Sequence, residues 1–364
     1  MNILNQTKLN KDLLQSFADL KAKAASVKKR NKRALHLYAV TGKRNSGDFF
    51  LGPSTKWRFQ NIVEQEIDWE DKCVRDDDFN LDFIKNLNTH FDYLVIGGGG
   101  LFLPDTNAND VSRWQWSIES ELIKKINIPI YVVSVGWNLF HGQKIGGDEE
   151  GYKIFKENIE TLVDKSEYFT LRHNGDLEHL KKVLAEDLHD KIKAEFCPTI
   201  NFCLEYVKNK LKTKPDREYY AFEVKIDREH MRYRDISKED FYNDLKNFAL
   251  TLIESGKKVC VLSHDGNLDL IDYFKSNGVK VEFFDNSVME VEAIINNYLK
   301  IKKLFCTAGH SQMMGHSLGC DVVSLITHDK LKYFLEDINN YKDETYVNVN
   351  EENVYEKLIK YNDT

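Results

Sequence analysis

The stretch 304-LFCTAGHSQMMGHSLGCDVVSLITHDK-330 decides how this chain is read. An apolar run ends in a tight turn that carries Ala308, Gly309 and His310. A helical stretch follows, then a second apolar run, then a loop that ends in Asp329 and Lys330. Strand, turn, helix and strand in this order form the repeating unit of a parallel sheet covered by helices. Open sheets of this kind bind ligands at the carboxyl ends of their strands. The pattern therefore predicts that His310 and Lys330 leave successive strands on one edge and converge on one cleft.

The same alternation extends outward in both directions. "ALHLYAV" (34–40), "FDYLVIGGGGLF" (91–102) and "IPIYVVSVGW" (128–137) read as buried strands, and "EYFTLRHNGDLEHLKKVL" (167–184) as strand, turn and helix. "KNKLKTKPDR" (208–217) is polar and basic and contains Pro215, as a linker does. The pattern then restarts with "EYYAFEV" (218–224). A helix follows over 237–255, opened by a Ser-x-x-Asp cap and closed by Gly256. "KKVCVLSH" (257–264) and "VKVEFF" (279–284) are further strands. Two successive open α/β domains follow, which suits a chain of 364 residues. Residues 12–31 read as a lead-in helix with "KKRNKR" as its basic exit.

Bulk properties narrow the function. Charged residues make up 30% and hydrophobic ones 42%, a globular balance. A net charge of −7 argues against a nucleic-acid partner. The six cysteines form no CxxC pair and read as reduced core thiols, without a zinc site. The N-terminal segment lacks the apolar run of a signal peptide, and no stretch is long enough to span a bilayer.

The loops after strands hold the candidate ligand groups. "GKRNSGD" (42–48) offers Lys43 and Arg44 as cations, with Asn45, Gly47 and Asp48. "GGGGLF" (97–102) follows a strand, and Gly98, Gly99 and Gly100 either let a ligand approach the backbone N–H groups or form a tight turn that only spaces strand from helix. It matches neither the dinucleotide fingerprint nor a Walker A loop. Arg172 follows an apolar strand and suits a carboxylate or phosphate, the alternative being a salt bridge to a neighbouring acid. "KIDREHMRYRD" (225–235) adds Lys225, Arg228, Arg232 and Arg234, either as a solvated face or as one anion-binding arginine. Excess positive charge at a cleft in an acidic protein points to a small anionic substrate, of phosphorylated type.

These segments, in this order, resemble the polysaccharide pyruvyl transferase family. The carriers are "NSGD" (45–48), "DYLVIGGGGLF" (92–102), "VSVGW" (133–137), "TLRHNGDLEHL" (170–180), "CPTINF" (197–202) and residues 303–338. The resemblance implies two Rossmann-like domains with parallel sheets facing across a cleft, as in GT-B glycosyltransferases. It implies an N-terminal, acceptor-side domain over 1–207, a linker over 208–217 and a PEP-side domain over 218–340. The tail, 341–364, is expected to pack back on the N-terminal domain. The implied reaction moves pyruvate from phosphoenolpyruvate (PEP) to two hydroxyls of a sugar, as a cyclic ketal, and releases phosphate. No cofactor is implied beyond the PEP donor. The resemblance places Arg172, His310 and Lys330 on positions for PEP binding and catalysis. It leaves Asn45, Gly47, Asp48, Gly98, Gly99, Gly100, Ala308, Gly309, Ser311 and Arg228 as binding positions.

One position departs from the pattern. The family usually carries arginine two residues before the histidine, where this chain has Ala308. Loss of that guanidinium removes a charge-assisted hydrogen bond worth roughly 1.5–3 kcal/mol. Three readings stay open: another cation (Arg228, Arg232, Arg234 or Lys43) takes over, the donor or reaction has changed, or the arginine was replaced by design. The rival functions are a GT-B-like glycosyltransferase using a nucleotide sugar and an inactive member that binds glycans. Trp57, Trp114, Trp116 and Trp137 offer faces for a sugar or fill the core. The expected acceptor is a sugar or lipid-linked oligosaccharide. The expected location is the cytoplasm, at its membrane face at most; the seven basic residues of "KAKAASVKKRNKR" (21–33) read first as a solvated helix exit and, as the alternative, as a contact for anionic lipid.

Overall fold

The structure is a computed structural model that describes residues 31–39, 45–210, 215–350 and 353–362. The lead-in helix and basic segment expected before residue 31, the cations Lys43 and Arg44, and part of the linker lie outside the described residues. The chain divides into two compact units. Among the described residues, the first comprises 31–39, 48–139 and 143–198; the second comprises 45–47, 140–142, 199–210, 215–350 and 353–362.

The first unit is built on a parallel sheet in the order β2-β1-β3-β4-β5-β6. Its strands are Lys32–Tyr38 (β1), Ile67–Cys73 (β2), Tyr93–Phe102 (β3), Ile130–Trp137 (β4), Ser166–Leu171 (β5) and Ile192–Ala194 (β6). The central strands are buried on both faces, as continuous apolar runs require. Trp114, Trp116 and Trp137 all lie in this core, so they are core fillers and not free sugar platforms.

The glycine run is not the expected turn. It continues β3, and Gly97, Gly98 and Gly99 all have positive φ. A Cβ on Gly97 would meet the Val133 carbonyl oxygen at 2.2 Å, and one on Gly98 would meet Thr55 Oγ1 at 2.8 Å. The glycines thus let an irregular strand pass close to β4 and to the helix Ser46–Val63. The pairing of β3 with β4 shifts register between Gly99 and Phe102.

The second unit is built on a parallel sheet in the order β12-β11-β10-β7-β8-β9. Its strands are Tyr219–Glu223 (β7), Lys258–Ser263 (β8), Glu282–Asp285 (β9), Ile301–Cys306 (β10), Asp321–Ile326 (β11) and Tyr346–Asn348 (β12). This is the doubly wound strand order, and the winding direction reverses between β7 and β10. Ligands of such folds bind outside the carboxyl ends of the strands at that point of reversal.

Two boundaries differ from expectation. The tail does not pack back on the first unit: β12 extends the second sheet, and Val347, Val354, Leu358 and Tyr361 join that unit's core. Their apolar spacing completes the face that the helix Lys238–Glu254 covers. The expected linker begins inside the helix Pro198–Lys210, and from Thr199 onward that helix groups with the second unit. All six cysteines are free thiols, five of them buried. No helix among the described residues is long and apolar enough to cross a membrane.

Candidate active site

Four neighbouring strands of the second unit each deliver polar groups to one carboxyl edge: β7 leads to Glu223 and Lys225, β8 to His264 and Asp265, β10 to Ala308 and His310, and β11 to His328 and Lys330. Ala308 is the residue before the helix Gly309–Ser317, and its backbone is extended. Its N–H donates to Glu223 Oε2 at 3.1 Å. The Thr307 N–H donates to the Glu223 carbonyl at 3.0 Å, so β7 and β10 are locked together at the point of reversal. His310 is half-buried in the first turn of the helix, where N–H groups and the macrodipole favour an anion. The side chain of Lys330 lies along Gly309: a Cβ there would be 3.3 Å from its Cε and 3.5 Å from its Cδ. His328 fixes the start of the next helix by accepting the Lys330 N–H on Nδ1 at 3.1 Å.

Residues 45–47 belong to this edge as well. The Ser46 N–H donates to the His264 carbonyl at 2.8 Å, and Ser46 Oγ lies 2.8 Å from His264 Nδ1. Asn45 Oδ1 accepts the Gly47 N–H at 3.0 Å, which shapes the turn. A Cβ on Gly47 would fall 2.2 Å from His310 Nδ1 and 2.5 Å from His264 Nε2, so only glycine fits between the two rings. Phe140, also of this unit, is flanked by the guanidiniums of Arg228 and Arg232, each 4.8 Å from its ring centre, and by the His328 ring at 4.3 Å.

The structure thus gathers Asn45, Gly47, Ala308, Gly309, His310, Ser311, Lys330 and Arg228 in the second unit. Asp48, Gly98, Gly99, Gly100 and Arg172 belong to the first. Arg172 follows β5 and is 4% exposed. Its guanidinium rests on Gly136, where a Cβ would come within 2.3 Å of Nη2. The salt-bridge alternative fails for it: among the described residues no carboxylate pairs with Arg172, and its buried Nε has no hydrogen-bond partner. A buried cation without a counterion is costly, and such a group is suited to receive an anion.

The cations named as substitutes for the missing arginine are mostly engaged. Arg232 is buried and donates to the Asp227 carbonyl (2.9 Å), Asp227 Oδ1 (3.1 Å) and Thr327 Oγ1 (3.4 Å). Arg228 pairs with Asp227 at 2.8 Å, and Arg234 with Asp235 at 2.9 Å. Burial pushes the Asp227 carboxyl up, but Arg232, Lys225, Lys330 and Arg228 outweigh it and hold it below the ordinary range. Lys225, ion-paired with Asp265, is the cation set beside Glu223 and Ala308.

Two histidine-and-acid features escaped the sequence reading. His264 is buried, and burial together with Lys225 and Lys330 pushes its pKa down to about 3, against the pull of Asp265, so the ring is neutral. Its signal was a charged His-Asp pair closing "KKVCVLSH". Glu223 is fully buried, and burial raises its pKa to about 7, with Asp265 adding to the rise and Lys225 opposing it. Its signal was an acid inside the apolar run "YYAFEV".

Glu223 gives a stability prediction. Its folded pKa is raised, so between about 4.5 and 7 the folded chain keeps a proton that the unfolded chain releases. Its contribution is full below the unfolded value and is lost as pH rises through the folded value. Glu223→Gln should therefore gain stability relative to wild type on going from pH 5 to pH 8, by roughly 3 kcal/mol. Urea unfolding of both proteins at the two pH values measures this; a constant difference would refute it.

Fold and site define an α/β protein of GT-B-like class with a polar cluster at the reversal point of its second sheet. About nine-tenths of the chain superposes on solved structures of that class at low identity. These include S. aureus MnaA with UDP (TM-score 0.52, 12% identity, 92% of this chain and 88% of that one). UDP-GlcNAc 2-epimerase from Methanocaldococcus jannaschii (0.54, 14%, 90% and 91%) and that from Neisseria meningitidis bound to UDP-GlcNAc (0.50, 11%, 91% and 92%) are similar too. No curated protein matches in sequence. The sequence pattern of the polysaccharide pyruvyl transferase family matches residues 45–329, and the chain belongs to that family. It is accordingly a polysaccharide-modifying enzyme.

Proposed function

We propose that the chain transfers pyruvate from PEP to two hydroxyls of a sugar in a surface-polysaccharide precursor, forming a cyclic ketal and releasing phosphate. One observation carries this reading: His310 leaves β10 beside the point of reversal and Lys330 leaves the adjacent β11, with the lysine chain lying along Gly309 directly before the histidine.

PEP carries a carboxylate and a phosphate, and Lys330 at the edge of the second sheet offers a cation to one of them. A proton from His310 goes to the vinyl CH2 of PEP, which becomes the methyl group, and positive charge develops at C2. The first sugar hydroxyl adds there and returns its proton to His310. Phosphate then leaves with its bonding electron pair, and the second hydroxyl closes the ring and gives its proton to the departing phosphate. Lys330 stabilises the departing phosphate, and Arg172 is assigned the PEP anion on its family position and its uncompensated charge. In D2O the ketal methyl should carry one solvent deuterium. A product methyl free of deuterium would exclude protonation of the vinyl carbon by an exchanging acid.

Ala308 gives a second test. Ala308→Arg restores a guanidinium next to Glu223 and should tighten PEP binding at least about tenfold. Calorimetry on both proteins checks this. Unchanged affinity would mean that Lys225 already fills the role.

A further inference from the structure

The winding of the second sheet reverses between β7 and β10, and a ligand of such a fold is expected there. Lys225 stands two residues past the end of β7, on one side of that point, whereas Lys330 follows β11, one strand further out. Lys225 has no part in the mechanism above, yet its backbone is fixed on both sides. Its N–H donates to Thr307 Oγ1 at 2.6 Å, and its carbonyl accepts the Tyr233 hydroxyl at 2.7 Å. Thr307 and Tyr233 are both buried, and the Thr307 N–H is itself tied to the Glu223 carbonyl. The ends of β7 and β10 and the residue after the helix Glu229–Arg232 therefore set where this lysine stands before its side chain makes any contact.

The side chain is held less completely. The ammonium pairs with Asp265, its acceptor among the described residues, and the pair is partly open, with 18% of the lysine side chain and 28% of the aspartate exposed. An ammonium has three N–H groups, so one carboxylate does not exhaust it. Arg232 is the contrast: that guanidinium is buried and spread over Asp227 and Thr327. Lys225 also shares its surroundings with Lys330, since both lysines pull down the pKa of Asp227 and of His264. The two follow the strands that flank β10, so a group held by both lies over the end of β10, where the helix Gly309–Ser317 begins.

We propose that Lys225, together with Lys330, binds the phosphate group of the substrate, and that Asp265 is the counterion which this phosphate displaces. A compact ammonium on a fixed backbone suits a phosphate oxygen as a point charge, and two of them match the double negative charge of a phosphate monoester. That the phosphate is the one on PEP rests on the pyruvyl-transfer reading; the phosphate site itself does not.

The test is calorimetry of inorganic phosphate and of PEP on the full-length chain and its variants. Lys225→Met should weaken binding of both about tenfold or more, and Lys225→Arg should keep most of it. Asp265→Asn removes the competing carboxylate while Thr307 and Tyr233 still hold the lysine backbone, so phosphate should bind about threefold tighter or more. An ion pair that only braces the fold gives the opposite result, an unchanged or weaker affinity in Asp265→Asn. That variant decides the matter even where Lys225→Met does not fold. Wild-type phosphate affinity in a folded Lys225→Met, no gain in Asp265→Asn, or no phosphate binding to wild type would each overturn the proposal. If Lys225→Met weakens PEP but not phosphate, the lysine holds the carboxylate and the assignment is wrong. If phosphate follows the expected pattern and PEP does not bind, the pyruvyl-transfer reading fails and the phosphate site stands.

Discussion

His310→Ala should reduce turnover by about 10²–10⁴-fold, the usual contribution of a placed acid–base group. His310 sits in the first turn of a helix whose start is fixed independently of its ring, through the Ala308 N–H and Glu223. The fold should therefore survive, and the melting temperature should change little. PEP affinity should fall far less than kcat, because Lys330 and the helix N-terminus remain. Phosphate release from PEP, with the melting temperature alongside, measures both effects. Full turnover in this variant would remove His310 from the chemistry.

Gly47→Ala should be nearly as damaging, for a different reason. Its Cβ would lie 2.2 Å from His310 Nδ1, 2.4 Å from His310 Cγ and 2.5 Å from His264 Nε2. Nonbonded atoms do not approach so closely, and the atoms met belong to rigid rings. His264 is held by Ser46 and is buried, so the half-buried His310 has to turn away. Gly47 does not have positive φ, so alanine fits the backbone and even favours a helix start. Loss of activity should exceed loss of stability: about 100-fold or more in kcat, against an overpacking cost of roughly 1–3 kcal/mol. Steady-state kinetics and urea unfolding separate the two. Wild-type kcat would show that the rings are not fixed as described.

Much of this was readable from local pattern. The run 304–330 gave β10, the helix after it and β11, because buried parallel strands are continuous apolar runs bounded by turn residues. His310 and Lys330 followed from that register. What escaped depends on partners far apart in the chain. The four-glycine run looks like a turn until the Val133 carbonyl and Thr55 press on it from a strand and a helix. His264 ends a strand like many others, and Ser46, 218 residues away, is what holds it in the site. The grouping of 45–47 and 140–142 with the second unit is likewise invisible without contacts. The tail was misplaced because three short apolar groups do not say which sheet edge they will join.

Calorimetry of PEP binding to the unmodified chain, beside a nucleotide sugar such as UDP-GlcNAc and beside PEP with Lys330→Met, tests the central claim most directly. Saturable PEP binding that weakens in Lys330→Met, with no nucleotide-sugar binding, is the predicted result. Binding of the nucleotide sugar with none of PEP would contradict pyruvyl transfer and leave a GT-B-like fold serving another reaction.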